Sequence, residues 1–98
     1  MIKTLPSVTV TGANTATKLT ATHQRAHSVI LYSLVGTIWI GDSSVNSTPG
    51  SERGVAIAAT AAPFTLTEES SPNSFELSQI FVSSTNAAGK VGVAFTEA

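Results

Sequence analysis

Residues 28–40 read Ser-Val-Ile-Leu-Tyr-Ser-Leu-Val-Gly-Thr-Ile-Trp-Ile. The first eight are apolar on both alternating faces, which is typical of a central strand with a core on one side and a cover on the other. Gly36-Thr37 then supplies a tight connection, after which Ile38 and Ile40 share one face and Trp39 points the opposite way. We interpret the stretch as a β-hairpin whose first strand lies at the centre of a sheet.

The rest of the chain divides into short segments that alternate with period two and are separated by Gly, Pro, Asn and Ser. Further strands are predicted within residues 7–11, 16–22, 54–58, 63–67, 75–83 and 90–96. About seven or eight short strands with frequent turns predict an all-β fold, either a small antiparallel β-sandwich or a jelly-roll-like barrel.

The same alternation predicts which apolar side chains point inward. We expect the following residues in or near the core: Leu31, Ile38, Ile40, Val55, Ile57, Phe64, Leu66, Leu77, Ile80, Val82, Val91, Val93 and Phe95. In the polar connection of residues 41–54, Val45 is the lone apolar residue, and we expect it to fix this loop to the body of the domain.

A chain of 98 residues has the length of a single domain, here residues 1–98. Residues 1–22 have weak core anchors, so this segment can form an extended N-terminal arm that pairs with a sheet edge of a neighbour. Its start lacks the continuous apolar stretch of a signal peptide, and no apolar run approaches the ~20 residues of a membrane span. We therefore expect no membrane partner and synthesis in a cytoplasm.

Charge excludes another class of partner. The chain has 5 Lys and Arg against 6 Asp and Glu, a net charge of -1, which offers no basic surface for nucleic acid. Charged residues are only 11% of the chain, and a monomer with so few charges is prone to associate. The composition therefore favours an extensive protein partner surface.

Residues that catalyse reactions are few. The candidate bases for a Ser-His-Asp arrangement are His23 and His27, and Asp42 is the only Asp that could orient them. No Gly-x-Ser-x-Gly segment is present, so surface polar residues are the favoured interpretation. We expect no catalytic residues and no enzyme activity.

Metal and cofactor sites are not predicted either. His23 and His27 are four residues apart, a spacing that binds zinc on a helix, but no acidic third ligand is near in sequence. In a strand the adjacent Glu68 and Glu69 point to opposite faces, and Glu76 lies across a loop, so no carboxylate pair follows. The expectation is that the chain uses no metal and no cofactor.

Trp39 allows three roles: core residue of a second sheet, which we favour, stacking platform for a sugar, or interface anchor. The sequence offers six candidate partner-contact residues: Val8, Val10, Trp39, Asp42, Val45 and Arg53.

The order of segments resembles small virion structural proteins of tailed bacteriophages over nearly the whole chain. The resemblance lies in residues 10–19, 28–31, 36–45, 64–66, 77–82 and 88–93, including Ile38-Trp39-Ile40-Gly41-Asp42-Ser43-Ser44-Val45 and Ala88-Gly89-Lys90-Val91-Gly92-Val93. The chain departs from the pattern at Thr60-Ala61-Ala62-Pro63, where Pro-Gly or Ala-Gly is common.

The resemblance implies a β-sandwich that decorates or cements a capsid lattice as a homotrimer on the capsid surface of the virion. Its implied partners are the lattice of the major capsid protein and other copies of the chain. Two alternatives stay open. A tail, baseplate or head-fibre component would share the fold, and a carbohydrate-binding module would use Trp39, Asp42 and the polar loop of residues 43–51.

Overall fold

The computed structural model describes residues 2–59, 62–67 and 75–97, which form two antiparallel β-sheets. The elements of this part of the chain are β1 (Ile2–Thr9), β2 (Thr17–Lys18), β3 (Arg25–Val35), β4 (Ile38–Gly41), β5 (Val55–Ile57), β6 (Phe64–Thr67), β7 (Phe75–Glu76), a 3-10 turn (Leu77–Gln79), β8 (Phe81–Ser83) and β9 (Lys90–Glu97).

One sheet has the strand order β1-β9-β3-β6, with β7 also paired to β3, and the other has the order β2-β8-β4-β5. Every strand pair is antiparallel. The predicted all-β sandwich is confirmed. The described residues form nine strands rather than seven or eight, because the segment of residues 75–83 divides into β7 and β8 around the 3-10 turn.

The core lies between the sheets because each contributes one apolar face. β3 and β9 supply Val29, Leu31, Val91, Val93 and Phe95, and the other sheet supplies Ile38, Ile40, Ile57 and Val82. All of these residues except Val29 were predicted for the core, and all of them are buried. Leu77, which was also predicted for the core, is buried as well. Phe64, Leu66 and Ile80 are partly buried and pack against the core.

Val55 was predicted for the core, and this prediction is wrong because its side chain is 47% exposed. Its cross-strand partner is Ile40, so Val55 does share the inward face of its sheet. However, β5 is the last strand of that sheet, and Val55 lies where the sandwich is open at its side. The alternation of β5 correctly predicted that Val55 faces inward, but Val55 is exposed because β5 is an edge strand.

The hairpin predicted for residues 28–40 is also wrong. β3 is central, as predicted, but its neighbours are β9, β6 and β7, whereas β4 pairs with β5 and β8 in the other sheet. Gly36 has a φ of 72°, and the Gly36-Thr37 connection carries the chain from one sheet to the other. Both edges of β3 are already occupied by other strands, so β4 crosses over the core.

The N-terminal segment does not project as an arm. Residues 2–9 form β1, which pairs with β9 at one edge of the five-stranded sheet. Val10 and Leu19 are each 4% exposed, so residues 1–22 do contain core anchors. The weak apolar signal of this segment reflects an edge strand with few inward side chains.

The loop after β4 is fixed in two ways. Val45 is 5% exposed, so the apolar residue of this loop is buried, close to Gly41 and Gly54. Ser47 is fully buried, and its Oγ lies 2.8 Å from Ser83 Oγ and donates to Asn14 Oδ1 at 2.9 Å. The loop is therefore held on the outer side of the four-stranded sheet by buried hydrogen bonds.

Candidate functional site

Among the described residues, the outer face of the five-stranded sheet carries no charged side chain over most of its width. Cross-strand register places nine residues on this surface, which we call the sheet face: Ile2, Thr4, Ser28, Ile30, Tyr32, Thr65, Gly92, Ala94 and Thr96. Lys90, paired with Val35 and Thr9, borders it at one end. The sheet face is a smooth surface of hydroxyl, small and apolar groups.

Several apolar groups of this surface are open to solvent. Ile2 is 70% exposed and Tyr32 is 39% exposed, while Ile30 is half-buried between Ala94 and Thr65. The sequence of β3 predicts a cover on this side, yet none of the residues that the structure describes forms a second layer over it. The sheet face thus leaves Ile2 and Tyr32 open to solvent beside hydroxyl and small side chains.

A second feature is an open cleft of about 330 Å³ at the side of the sandwich, which we call the groove. Its lining residues are Ile40, Gly41, Asp42, Val55, Phe64, Leu66, Gln79 and Ile80. Five of these have large apolar side chains, and they come from both sheets. The groove is the place where the core reaches the surface.

Two edge strands border the groove. β5 is the terminal strand of the four-stranded sheet, and β6 is the terminal strand of the path β1-β9-β3-β6. Within the described ranges each pairs with one neighbour only, β5 with β4 and β6 with β3. Both strands therefore present backbone N–H and C=O groups along the groove, as edge strands do.

Asp42 supplies a carboxylate to the lining of the groove. Its Oδ1 accepts hydrogen bonds from Ser44 Oγ at 2.5 Å and from the Ser44 backbone N–H at 2.8 Å. These bonds, with a smaller contribution from the charge of Arg53, hold the pKa of Asp42 below its ordinary value. The groove therefore carries a fixed negative charge at one end.

The six candidate partner-contact residues fall into two separate groups. At the N-terminal edge, Val8 is half-buried against the core, and Val10 is buried with its N–H donating to the Gly89 carbonyl at 2.9 Å. Val10 and the equally buried Val45 present almost no surface to a partner in this conformation. The physical reason is that both fill space inside the chain's own fold.

The other group follows β4. Asp42 is exposed, and Arg53 is exposed and pairs through its backbone with Asn46 at 2.8 and 3.1 Å. Trp39 is half-buried on the outer side of the four-stranded sheet, across from Ala56 and Ser83. Trp39 is not among the residues that line the groove beside Asp42, so the aromatic group and the carboxylate serve different surfaces.

The histidines do not form a triad with Asp42 in the described part of the chain. His23 Nδ1 lies 2.5 Å from Glu76 Oε1, whereas Asp42 accepts its hydrogen bonds from Ser44. Glu76 Oε2 also accepts the Gln24 backbone N–H at 2.8 Å and the Ser78 hydroxyl at 3.1 Å. Glu76 thus ties the start of β3 to the 3-10 turn.

Hydrogen bonding lowers the pKa of Glu76 to about 2. The backbone N–H of Gln24 is the largest cause, burial acts in the opposite direction, and Ser78 and His23 add to the lowering. An anion this well satisfied by its own fold is a structural carboxylate.

Metal ligands do not gather in the described ranges, where no group of three or more His, Asp or Glu residues is placed to hold an ion. Glu68 and Glu69 lie outside those ranges. No helix among the described residues is long and apolar enough to cross a membrane.

Sequence reasoning missed both surfaces. The groove arises because Val55 of β5 and Phe64 of β6 lie in different sheets, with Ile80 just before β8, and nothing in their local patterns distinguishes them from core residues. The sheet face had a signal, the apolar outer residues of β3, but its extent depends on which strands flank β3.

Compared with protein-family models, curated proteins and solved structures, the chain matches none of them.

Proposed function

We propose that this chain is a non-enzymatic structural protein of a tailed-bacteriophage virion, a decoration or cement protein that binds the assembled head lattice and stabilises it. The observation that carries the proposal is the sheet face, an uncharged and partly apolar strand surface on a chain with few charges. The segment pattern described above supplies the phage context.

The area of the sheet face is that of a weak protein contact, which can stabilise a lattice when it is repeated at many equivalent positions. Four strands about 4.8 Å apart, of which β3 and β9 contribute about 17 Å of length each and β1 and β6 less, present a footprint of about 300 Å² or less. A stable pairwise complex buries about 800 Å² on each partner, so one such contact is weak. On a lattice, equivalent contacts add through multivalency, and binding only the assembled form stabilises it by mass action.

The first test is the copy number of this chain in purified particles, measured by quantitative mass spectrometry against the major capsid protein. A ratio near one supports lattice decoration. A handful of copies assigns the chain to the tail, the baseplate or a head fibre and overturns the decoration proposal. Absence from particles overturns the virion proposal, and Trp39 fluorescence titrated with sugars then tests the carbohydrate-binding alternative.

The second test asks whether the sheet face makes the contact. Thr4 and Thr65 are exposed on opposite sides of Ile30, so Thr4→Lys with Thr65→Lys adds two charges to this surface without altering the core. We expect this double variant to co-sediment poorly with heads that lack the protein. The matched control Thr85→Lys, on an exposed turn, is expected to bind normally. Equal binding by both variants would remove the sheet face from the proposal.

We propose a homotrimer as the working unit. Native mass spectrometry of the purified chain checks it, and a species of three times the 10.0 kDa chain mass is expected. A chain that stays monomeric both in solution and on the particle contradicts this part of the proposal.

A further inference from the structure

We propose that the groove binds one extended, apolar segment of a partner protein as an added β-strand, with a Lys or Arg of that segment beside Asp42. The groove and the sheet face lie on different surfaces of the sandwich, so this inference does not depend on the proposed function.

The first argument is the apolar lining. Ile40, Val55, Phe64, Leu66 and Ile80 form a floor to which both sheets contribute. Val55 faces inward with Ile40 and is nevertheless 47% exposed. Covering such a residue with an apolar partner is favourable because it removes apolar surface from water.

The second argument is the backbone. β5 and β6 are edge strands that line opposite sides of the groove, and each has one paired neighbour in the described ranges. Peptides that add a strand to such an edge gain main-chain hydrogen bonds and place every second side chain in pockets beside it. A small apolar molecule would fill the cleft without forming hydrogen bonds to these N–H and C=O groups, whereas an extended peptide can do both, so the peptide is the better match.

The third argument is charge. Among the described residues that line the groove, Asp42 is the only charged one. Ser44 engages one of its carboxylate oxygens, Oδ1, and the other oxygen, Oδ2, lies outside those two bonds. Asp42 directly follows β4, so it marks one end of the cleft. A basic residue at one end of the bound segment complements this charge and sets the direction of the segment.

The probe is a synthetic acetylated peptide amide, Lys-Val-Thr-Val-Thr-Val, titrated into ¹⁵N-labelled protein and followed by the backbone amide signals. We expect shifts concentrated at Val55–Ile57 and at residues 64–66. A second peptide with Glu in place of Lys is expected to bind about two- to fivefold more weakly, the size of an exposed ion pair. The preference should shrink at high salt because the charges are exposed.

Three variants test the parts separately. Val55→Glu buries a charge under the peptide and is expected to weaken binding about tenfold or more, whereas Thr85→Glu on the exposed turn is the matched control. Asp42→Asn keeps an oxygen that can accept the Ser44 hydrogen bonds. It is expected to bind both peptides and to lose the preference for lysine. Thermal unfolding followed by circular dichroism verifies that each variant is folded.

Backbone methylation distinguishes a strand from any other apolar ligand. Alternate residues of a strand direct their N–H groups to opposite sides. We therefore expect that methylating either the valine nitrogens or the threonine nitrogens weakens binding more than methylating the other set. Equal binding of both methylated peptides and the parent would show an apolar pocket rather than a strand site and overturn the proposal. So would the absence of shifts at these amides up to about 5 mM peptide, or unchanged binding by Val55→Glu.

Discussion

The ring of Tyr32 on β3 lies across the α-carbon of Gly92, its cross-strand partner on β9. A Cβ at position 92 would overlap the phenol ring, so Tyr32 fills the space that a side chain would otherwise take. An aromatic residue that covers a glycine in this way stabilises the strand pair and shields its backbone from water. Because both residues belong to the sheet face, this pair also shapes the proposed contact surface.

We expect Tyr32 and Gly92 to be energetically coupled. Tyr32→Ala should lower the free energy of unfolding by about 1 kcal/mol when Gly92 is present, because the backbone loses its cover. In the Gly92→Ala background the alanine methyl group takes the position of the ring, so Tyr32→Ala should cost about 0.5 to 1 kcal/mol less. Urea unfolding of the four proteins of this cycle measures the coupling. Strict additivity of the two changes would contradict the packing described here.

Leu31 should be among the most costly side chains to truncate. It is fully buried between the sheets on the central strand. Leu31→Ala is expected to lower the free energy of unfolding by about 2 to 5 kcal/mol, since it removes buried methyl groups and leaves a cavity. Leu34→Ala is the matched control, because Leu34 is on the same strand and 46% exposed, and it should cost about 0.5 kcal/mol or less. Similar unfolding midpoints for the two variants would refute the assignment of the core.

The buried pair Ser47 and Ser83 should respond unequally to truncation. Ser47 Oγ donates to Asn14 Oδ1, so the hydrogen of the 2.8 Å contact between the serines comes from Ser83. Ser47→Ala leaves that buried donor unsatisfied and is expected to cost about 1 to 3 kcal/mol. Ser83→Ala removes the donor itself and should cost less. Chemical unfolding of both variants checks the order, and the reverse order would show that the hydrogen bonds run the other way.

Acid should weaken the fold through Glu76. Its pKa is lowered from 4.5 to about 2 in the folded protein, so the unfolded chain takes up this proton at a higher pH. The stability that Glu76 contributes is therefore fully present above pH 4.5 and is lost as the pH falls toward 2. Urea unfolding at a series of pH values should show a smaller acid loss for Glu76→Gln than for the unsubstituted protein.

His23→Ala is the control for this experiment. The Gln24 backbone N–H lowers the pKa of Glu76 more than the histidine does, so His23→Ala should keep most of the acid dependence. If Glu76→Gln and the unsubstituted protein lost stability in parallel over this pH range, the structural role of the Glu76 carboxylate would be wrong.

Local patterns predicted much of the fold. The period-two segments identified the strands of the sandwich, and inward residues such as Leu31, Ile38 and Phe95 were predicted correctly. They succeed because a strand's two faces are distinguished by its own sequence. Val45 was predicted correctly for a similar reason, since a lone apolar residue in a polar loop gains most by burial.

Those local patterns do not predict which strands pair with each other. Residues 28–40 have the sequence of a hairpin, yet β3 and β4 lie in different sheets, because β9 and β6 occupy both edges of β3. The N-terminal segment has few apolar residues, yet it forms β1 because an edge strand needs only Leu5 and Val8 to pack inward. Both outcomes depend on partners distant in sequence.

Backbone alternation and hydrophobic burial act within each segment, so the residues alone predict the fold class, the approximate positions of most strands and most of the core. The first strand is an exception, because it was predicted at residues 7–11 and lies at Ile2–Thr9. Which strands are edges and which surfaces stay open depends instead on how the folded sheets pack together. That packing placed Val55 at the groove instead of the core and left Ile2 and Tyr32 exposed on the sheet face. The exposure of a strand residue depends on whether another layer packs over it, and that layer comes from elsewhere in the chain or from another molecule.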